Sequence, residues 1–342
     1  MVGSALWQVR ARSAGRKLLS CGAVSLWLIS AGARAAPPKS NPPEVPARDG
    51  LSYRGSSYDQ FHVVCRSGTA PGDQSVLKTF VDMTPAQLSQ AVPESKRLRP
   101  AENQDMLPQI LQRVGTAVAA FFDDFADTAC TEQVISVVHS LLHAGAKHFD
   151  HTYSYLAISE AGSARPTLRE YRTDTQGQPV NTDAKSGIVT FGFVALPLNF
   201  HPDYQADSRF SYLGREEMEN QDTYVVAFAQ RPNVARLPAS VWFLNRRGVV
   251  FLQGVAWIDP TSFRIVRLRT DIQQAETNVG LQKETTQVLY SAVSFAQSGK
   301  TLWLPREVTV TGQLREYNFH NQHRYSDYRL FNVQIQQKQT LP

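Results

Sequence analysis

Histidines carry the first candidate chemistry in this sequence. Six of the eight fall in pairs at spacings of three and four: His139/His143, His148/His151 and His320/His323. On a helix, that spacing puts two imidazoles on one face, the arrangement a zinc site uses. The surrounding residues, however, alternate rather than follow a helical period. The first pair straddles a strand end, and the second lies in a turn entering a strand. On a strand, residues three apart point to opposite faces. No HExxH and no acidic cluster accompanies a pair, so loop or surface histidines are expected, with no metal. There is no GxSxG elbow, no P-loop and no GxGxxG. Glu216, Glu217 and Glu219 follow Gly214 in what reads as a solvated polar turn. Paired carboxylates for glycoside chemistry need not be close in sequence, but nothing marks out a pair. The expectation is a protein that is not an enzyme and carries no cofactor.

The aromatic residues are more telling. Phe191, Phe193, Phe200, Phe210, Tyr224, Phe228, Trp242, Phe251, Trp257, Phe263, Phe295 and Trp303 all lie on or beside expected strands. Most belong in a packed core. The elements that position them are organised around Gly248–Asp271, which reads as two strands and a tight turn. The first strand is apolar on both faces, with Val249, Phe251, Val255 and Trp257 opposing Val250, Leu252, Ala256 and Ile258. Such a strand is covered on both sides. Asp259-Pro260-Thr261 supplies the turn. The return strand alternates, with Arg267 and Arg269 marking a wet face.

A helix precedes the strands, from about Asp105 to Asp127. Leu107, Ile110, Leu111, Val114, Val118, Phe121, Phe122 and Phe125 recur at helical spacing. Pro108 is tolerable in the first turn. Asp123, Asp124 and Asp127 sit at the end where the helix dipole disfavours them. After Cys130 the period turns to alternation: Thr131–His139, Thr152–Ser159, Thr167–Thr173, Gly187–Leu196, Thr223–Ala229, the hairpin, Gln287–Phe295, Leu302–Thr311 and Arg324–Gln336. Roughly ten strands in succession with short connections give an antiparallel meander. The fold class is therefore mainly β, a strongly curved antiparallel sheet with one amphipathic helix packed in its concave face. One helix leaves concave surface unfilled, and the surplus aromatics are expected to line a cavity. Phe121, Phe125, Phe228, Phe251 and Trp257 are the expected wall residues.

The N-terminal third divides further. Arg10, Arg12, Arg16 and Lys17 precede an apolar run, Leu18–Ala31, and Ala33-Arg34-Ala35 fits an A-x-A cleavage site, so residues 1–35 read as a signal peptide. An uncleaved N-terminal anchor is the alternative. Residues 1–35 hold five of the 35 Lys/Arg and none of the 30 Asp/Glu, so the rest of the chain balances at 30 of each. That balance removes the electrostatic case for nucleic acid. Residues 36–50 form a proline-rich linker. Residues 51–104 form an extension with a short strand at Phe61–Cys65 and a short helix capped by Thr84 and running to Ala91. Two cysteines follow the leader, Cys65 and Cys130. A disulfide between them is possible and would close a loop of about 65 residues, adding roughly 4 kcal/mol; two separate buried thiols are the expected arrangement.

Three local motifs carry a family resemblance. Tyr212-Leu213-Gly214-Arg215-Glu216 leading into Thr223-Tyr224-Val225-Val226 resembles a "G-x-E-x-x-x-G" turn and strand, with Asn220-Gln221-Asp222 in place of the usual glycine. Gly254-Val255-Ala256-Trp257-Ile258-Asp259-Pro260-Thr261 resembles a "W-I-D-x-x-T" hairpin, followed by Ile265-Val266-Arg267-Leu268. Leu302-Trp303-Leu304-Pro305 with Glu307-Val308 resembles a late "y-L-P-t" strand. In this order over Leu107–Ile335 they resemble the LolA/LolB-like superfamily, which includes outer-membrane lipoprotein-sorting proteins and MucB/RseB-type sensors. The resemblance implies an unclosed β-barrel over residues 105–340, with the helix as a plug and an interior able to take acyl chains. Residues 51–104 depart from the simple carriers.

Three functions remain open. The first is an exported, periplasmic or secreted binding protein holding an acyl chain, a lipid or a lipoprotein in an aromatic-lined cavity. The second is a periplasmic sensor or scaffold that holds a protein partner. The third is a hydrolase acting on envelope glycans or lipids.

Overall fold

The computed structural model describes residues 78–330 apart from 126, 160–165, 167, 175–187, 189, 244–245 and 297. The signal peptide, the linker, the Phe61–Cys65 strand and Cys65 itself lie outside the described residues, so the disulfide expectation does too. The described chain is mainly β. Its helices are α1 (Pro85–Ala91), α2 (Leu107–Asp123) and α3 (Pro202–Gln205). Its strands are β1 (Arg99–Pro100), β2 (Thr128–Ser140), β3 (Ala146–Ser159), β4 (Leu168–Thr173), β5 (Ser208–Met218), β6 (Gln221–Gln230), β7 (Ala239–Phe243), β8 (Arg246–Val250), β9 (Leu252–Ile258), β10 (Ile265–Ile272), β11 (Leu281–Phe295), β12 (Lys300–Leu314) and β13 (Tyr317–Leu330). Eleven strands form one antiparallel sheet in the order β1-β5-β6-β9-β10-β11-β12-β13-β2-β3-β4, and β7 and β8 pair separately. The large sheet does not close into a barrel.

Three expectations need correction. The first strand of the hairpin breaks at Phe251, so that β8 pairs with β7 while β9 pairs with β6 and β10. Second, α2 has seventeen residues and is shorter than expected. It stops at Asp123 and Asp124, carboxylates at the end where carbonyls already point outward. Third, no described residue of Gly187–Leu196 is in a strand. Gly192 has φ +93°, and Leu196–Phe200 is a 3-10 turn around Pro197 leading into α3. The segment is nonetheless deeply buried: Ile188, Phe193, Val194, Leu198 and Phe200 all belong to the larger core.

That larger core occupies one face of the sheet. It gathers Ile110, Val114, Val118 and Phe122 of α2 with Val226, Phe228, Ala256, Ile258 and Leu268. Helix α2 meets the 196–205 segment closely. A Cβ on Gly115 would lie 2.6 Å from Gln205 Nε2, which itself donates to the carbonyls of Leu111 and Phe200. The interior is thus shared between α2 and residues 188–205, and α2 is not a lone plug.

A smaller core covers the opposite face of β6 and β9. Val225, Ala227, Val255 and Trp257 pack there against Phe80, Leu88 and Val92 from the N-terminal extension. The expected helix after Thr84 is α1, and the Thr84 hydroxyl accepts from Gln87 N. Phe80 N donates to Gln253 Oε1, and Arg269 pairs with Glu94 at 2.6 Å. Covering on both faces is why β9 is apolar on both. Where β1 crosses β5, Gly214 has φ +132°, and a Cβ there would strike the Arg99 carbonyl at 2.0 Å. The register of β5 slips between Tyr212 and Gly214. Glu216 beyond it is therefore a buried strand residue rather than part of a solvated turn.

Candidate functional site

The sheet splits between its two central hairpins. Pairing of β10 with β11 covers Arg267–Asp271 against Thr285–Leu289 and stops there. Beyond it, β11 continues six residues to Phe295, paired to β12 alone among the described strands. Bulges interrupt both ladders at this level, between Ile265 and Arg267 and between Leu289 and Tyr290. Bulges end pairing and increase local twist, so the two hairpins diverge. Across the gap, Trp303 Nε1 donates to Ile265 O at 2.7 Å.

Two clefts meet in this notch. The larger, about 240 Å³, lies between the end of α2 and the diverging hairpins. Val118, Phe121, Ile265, Leu302 and Trp303 give it an apolar wall, and Asp124, Ser262, Arg264 and Thr301 stand at its polar side. The Arg264 guanidinium sits 5.5 Å over the Trp303 ring. The Asp259-Pro260-Thr261 turn holds this rim: Asp259 Oδ1 accepts from the amides of Thr261 and Ser262, and Phe263 adopts φ +57°. The second cleft, about 140 Å³, shares Tyr290 and Trp303 with the first. Its remaining wall includes Met218, Val266, Leu289 and Ser291. Met218 and Val266 belong to the smaller core, whereas Ile265 and Leu302 belong to the larger one. The two clefts therefore open on opposite faces of the sheet.

The five expected wall residues are not brought together. Phe121 lines the larger cleft, and Phe125 is buried against it with ring centroids 5.4 Å apart. Phe228 is fully buried in the larger core, edge-on to Phe200. Trp257 faces the other way into the smaller core, where its indole donates to Glu216 Oε2 at 2.7 Å. Phe251 is half-buried between β8 and β9. Strand parity explains the separation, since Phe228 and Ala256 share one face while Val255 and Trp257 share the other.

A second constellation was missed at the sequence level. Glu132 on β2 is fully buried and accepts from Arg172 Nε and Nη2 of β4, from His323 Nδ1 at 2.9 Å and from Tyr325 Oη at 2.8 Å. His323 Nε2 lies 2.9 Å from Thr190 Oγ1. With the carboxylate accepting at Nδ1, that nitrogen carries the proton, and Nε2 accepts from the threonine hydroxyl. Burial alone would raise Glu132, but the charge of Arg172 and the His323 and Arg172 hydrogen bonds outweigh it and bring its carboxyl down to about 2. Burial lowers His323 against the pull of Glu132, and Arg172 lowers it further. The expected surface histidine is thus a core histidine, while His320 three residues earlier is exposed. His148 and His151 lie on β3 itself rather than in a turn.

Hydroxyl, imidazole and carboxylate in this order have the geometry of an acyl-transfer triad. The chemistry does not follow. Arg172 neutralises the carboxylate that an imidazolium would need, and burial keeps His323 a poor base. Thr190 and His323 are both about 1% exposed. What the cluster and its neighbours do is fasten Ile188 and residues 190–194. Arg172 Nη1 donates to Thr190 O, Asn321 Nδ2 to Ile188 O and Tyr290 Oη to Phe193 O. Glu170 accepts from the amides of Gly192 and Val194.

No family model and no curated protein matches the chain. Three solved structures illustrate what it resembles. A domain from Vibrio parahaemolyticus described as an outer membrane lipoprotein-sorting protein is 13% identical, with 68% of this chain and 93% of that one covered and a TM-score of 0.31. A DUF1329 family protein from Desulfovibrio piger is 11% identical over 66% and 93% of the two chains, with a TM-score of 0.32. A LolA superfamily protein from Nitrosomonas europaea is 13% identical over 66% and 94%, with a TM-score of 0.28. These neighbours include members of the superfamily that the three sequence motifs resemble.

Proposed function

We propose that this protein is an exported, non-enzymatic carrier that binds the acyl chain of a lipid or lipid-modified protein at the notch between the two central hairpins. The observation that carries this reading is the larger cleft, an apolar wall of Val118, Phe121, Ile265, Leu302 and Trp303 beside a polar rim. An apolar trough with polar groups at one side suits an amphiphile, whose chain enters and whose head stays wet. Phe121 is the member of the expected wall that stands at the ligand surface, with Phe125 supporting it from behind. Burying about a dozen methylenes at about 0.8 kcal/mol each gives roughly 10 kcal/mol before ordering costs, enough for micromolar binding. The basic leader and Ala33-Arg34-Ala35 support export.

The test is a titration of the full chain with a fluorescent linear fatty acid, alongside native mass spectrometry for co-purified lipid. Saturable binding below about 100 μM, weakened by Phe121→Ser, is the expected result. No saturable binding in that range, with no lipid carried through purification, overturns the carrier reading.

A further inference from the structure

We infer that Trp303 is a gate through the sheet, and that the ligand site is the passage formed when its bond to Ile265 opens and the two clefts become one. The inference rests on the acyl-binding reading and names the shape of ligand the site accepts: an unbranched hydrocarbon chain that passes between two strands.

Four observations converge on Trp303. It borders both clefts, with Tyr290 as the other shared wall. Tyr290 and Trp303 belong to the larger core, while the second cleft extends beyond them to Met218 and Val266 of the smaller core, so a connection between the clefts crosses the sheet. No β10–β11 backbone pairing exists at this level, because the register ends at Arg267 and Leu289. Among the described residues, the indole hydrogen bond to Ile265 O is the side-chain link from β12 to the strand across the gap. Each cleft alone is smaller than the roughly 300 Å³ at which small-molecule sites begin. Joined, they reach that range. The ring is held by one neutral hydrogen bond, a flanking guanidinium, Arg264, and packing at the margin of the larger core, and it remains half-buried. A neutral bond of that kind is a weak latch. The β10–β11 ladder, from Arg267/Leu289 to Asp271/Thr285, closes the slot at one end, which favours a single unbranched chain over fused rings.

Trp303→Phe keeps the ring bulk and removes the donor. Stopped-flow binding of a linear fluorescent fatty acid and quenching of tryptophan by a dibrominated stearate are measured on the full chain and on this variant. The expected result is an association rate raised about fivefold, the factor one neutral hydrogen bond is worth, and loss of most of the bromine quenching. Binding by the wild type with unchanged rate and unchanged quenching in the variant overturns the gate and leaves the carrier reading standing. Absence of binding by the wild type overturns both. If the variant does not fold, hydrogen exchange in the wild type decides. Added fatty acid must change exchange in residues 263–266 and 290–295, and no change there overturns the inference.

Discussion

Around β2, β4 and β13 the interior is closed by charge; around β10, β11 and β12 it is left open by bulges. Both regions bring residues distant in sequence to one face of the same sheet. In the first, Glu132 takes hydrogen bonds from Arg172, His323 and Tyr325, and through them residues 188–194 are fixed in place. In the second, an indole hydrogen bond and an exposed Arg306–Glu219 ion pair span the gap. A saturated buried network tolerates no slack, because every lost partner strands a charge in a low dielectric. A gap held by one neutral bond and one exposed ion pair opens at little cost. The difference locates rigidity and adaptability in one fold without appeal to flexibility in general.

The comparison is broken most forcefully at the clasp. Arg172→Met leaves Glu132 as an uncompensated buried carboxylate and should destabilise by about 3–5 kcal/mol in denaturant titration. A loss under about 1 kcal/mol would mean that water reaches Glu132. Next come the neighbouring phenylalanines of α2. Phe122 is 6% exposed in the larger core, and Phe122→Ala should cost about 3–4 kcal/mol. Phe121 stands at the cleft, and Phe121→Ala should cost about half as much; equal costs would erase the distinction between filled core and notch.

Acid should act through the clasp and spare the notch. Glu132 is depressed in the folded state, from 4.5 to about 2, so its contribution is complete above pH 4.5 and is lost as pH falls toward 2. That shift corresponds to a loss of order 3 kcal/mol. His323 is also depressed, and a group that binds its proton less readily when folded loses stability as pH falls below its unfolded value, 6.5. Glu170, raised mainly by burial, runs the other way: the folded state holds its proton more tightly above pH 4.5, so its contribution declines as pH rises. The net expectation is a stability decline from pH 6.5 down to 2, read by denaturant titration at each pH; Glu132→Gln should remove the part below pH 4.5 and leave the part due to His323. The smallest effect belongs to Trp303→Phe, about 1 kcal/mol or less by the same measurement.

Much of this was legible in the sequence. The helical spacing of Ile110, Val114, Val118 and Phe122 predicted α2, and two-sided apolarity predicted a strand covered on both faces, now seen in β9. Residues 188–205 were misread because a short apolar run does not distinguish a strand from an irregular buried segment; Gly192 and Pro197 were the signals against a strand. The clasp was missed because its members lie 40 and 191 residues apart. One sign was available. Glu132 and Ser136 alternate on one parity of β2 with the apolar Cys130, Val134 and Val138, and Asn321 and His323 fall between Phe319 and Tyr325 on one parity of β13. Polar residues at inward positions of two strands announce a buried network. The notch was not legible, since bulges depend on register between strands and leave no pattern in either one alone.

The neighbour of β2 in the sheet is β13, and their register joins Val134 to His323 and Thr131 to Ser326. The other pairings close shorter loops: most are hairpins, β6 reaches β9 past the β7–β8 pair, and β1 reaches β5. This seam alone closes a loop of nearly two hundred residues, and closure entropy must be met before any of its hydrogen bonds form. Until β13 is made, β2, β3 and β4 can form at most a three-stranded piece with an open edge. The clasp sits on that seam. Glu132 and Arg172 can already pair between β2 and β4, but the carboxylate gains its His323 and Tyr325 partners only when β13 joins, so a chain that lacks β13 is a poor substitute for the whole.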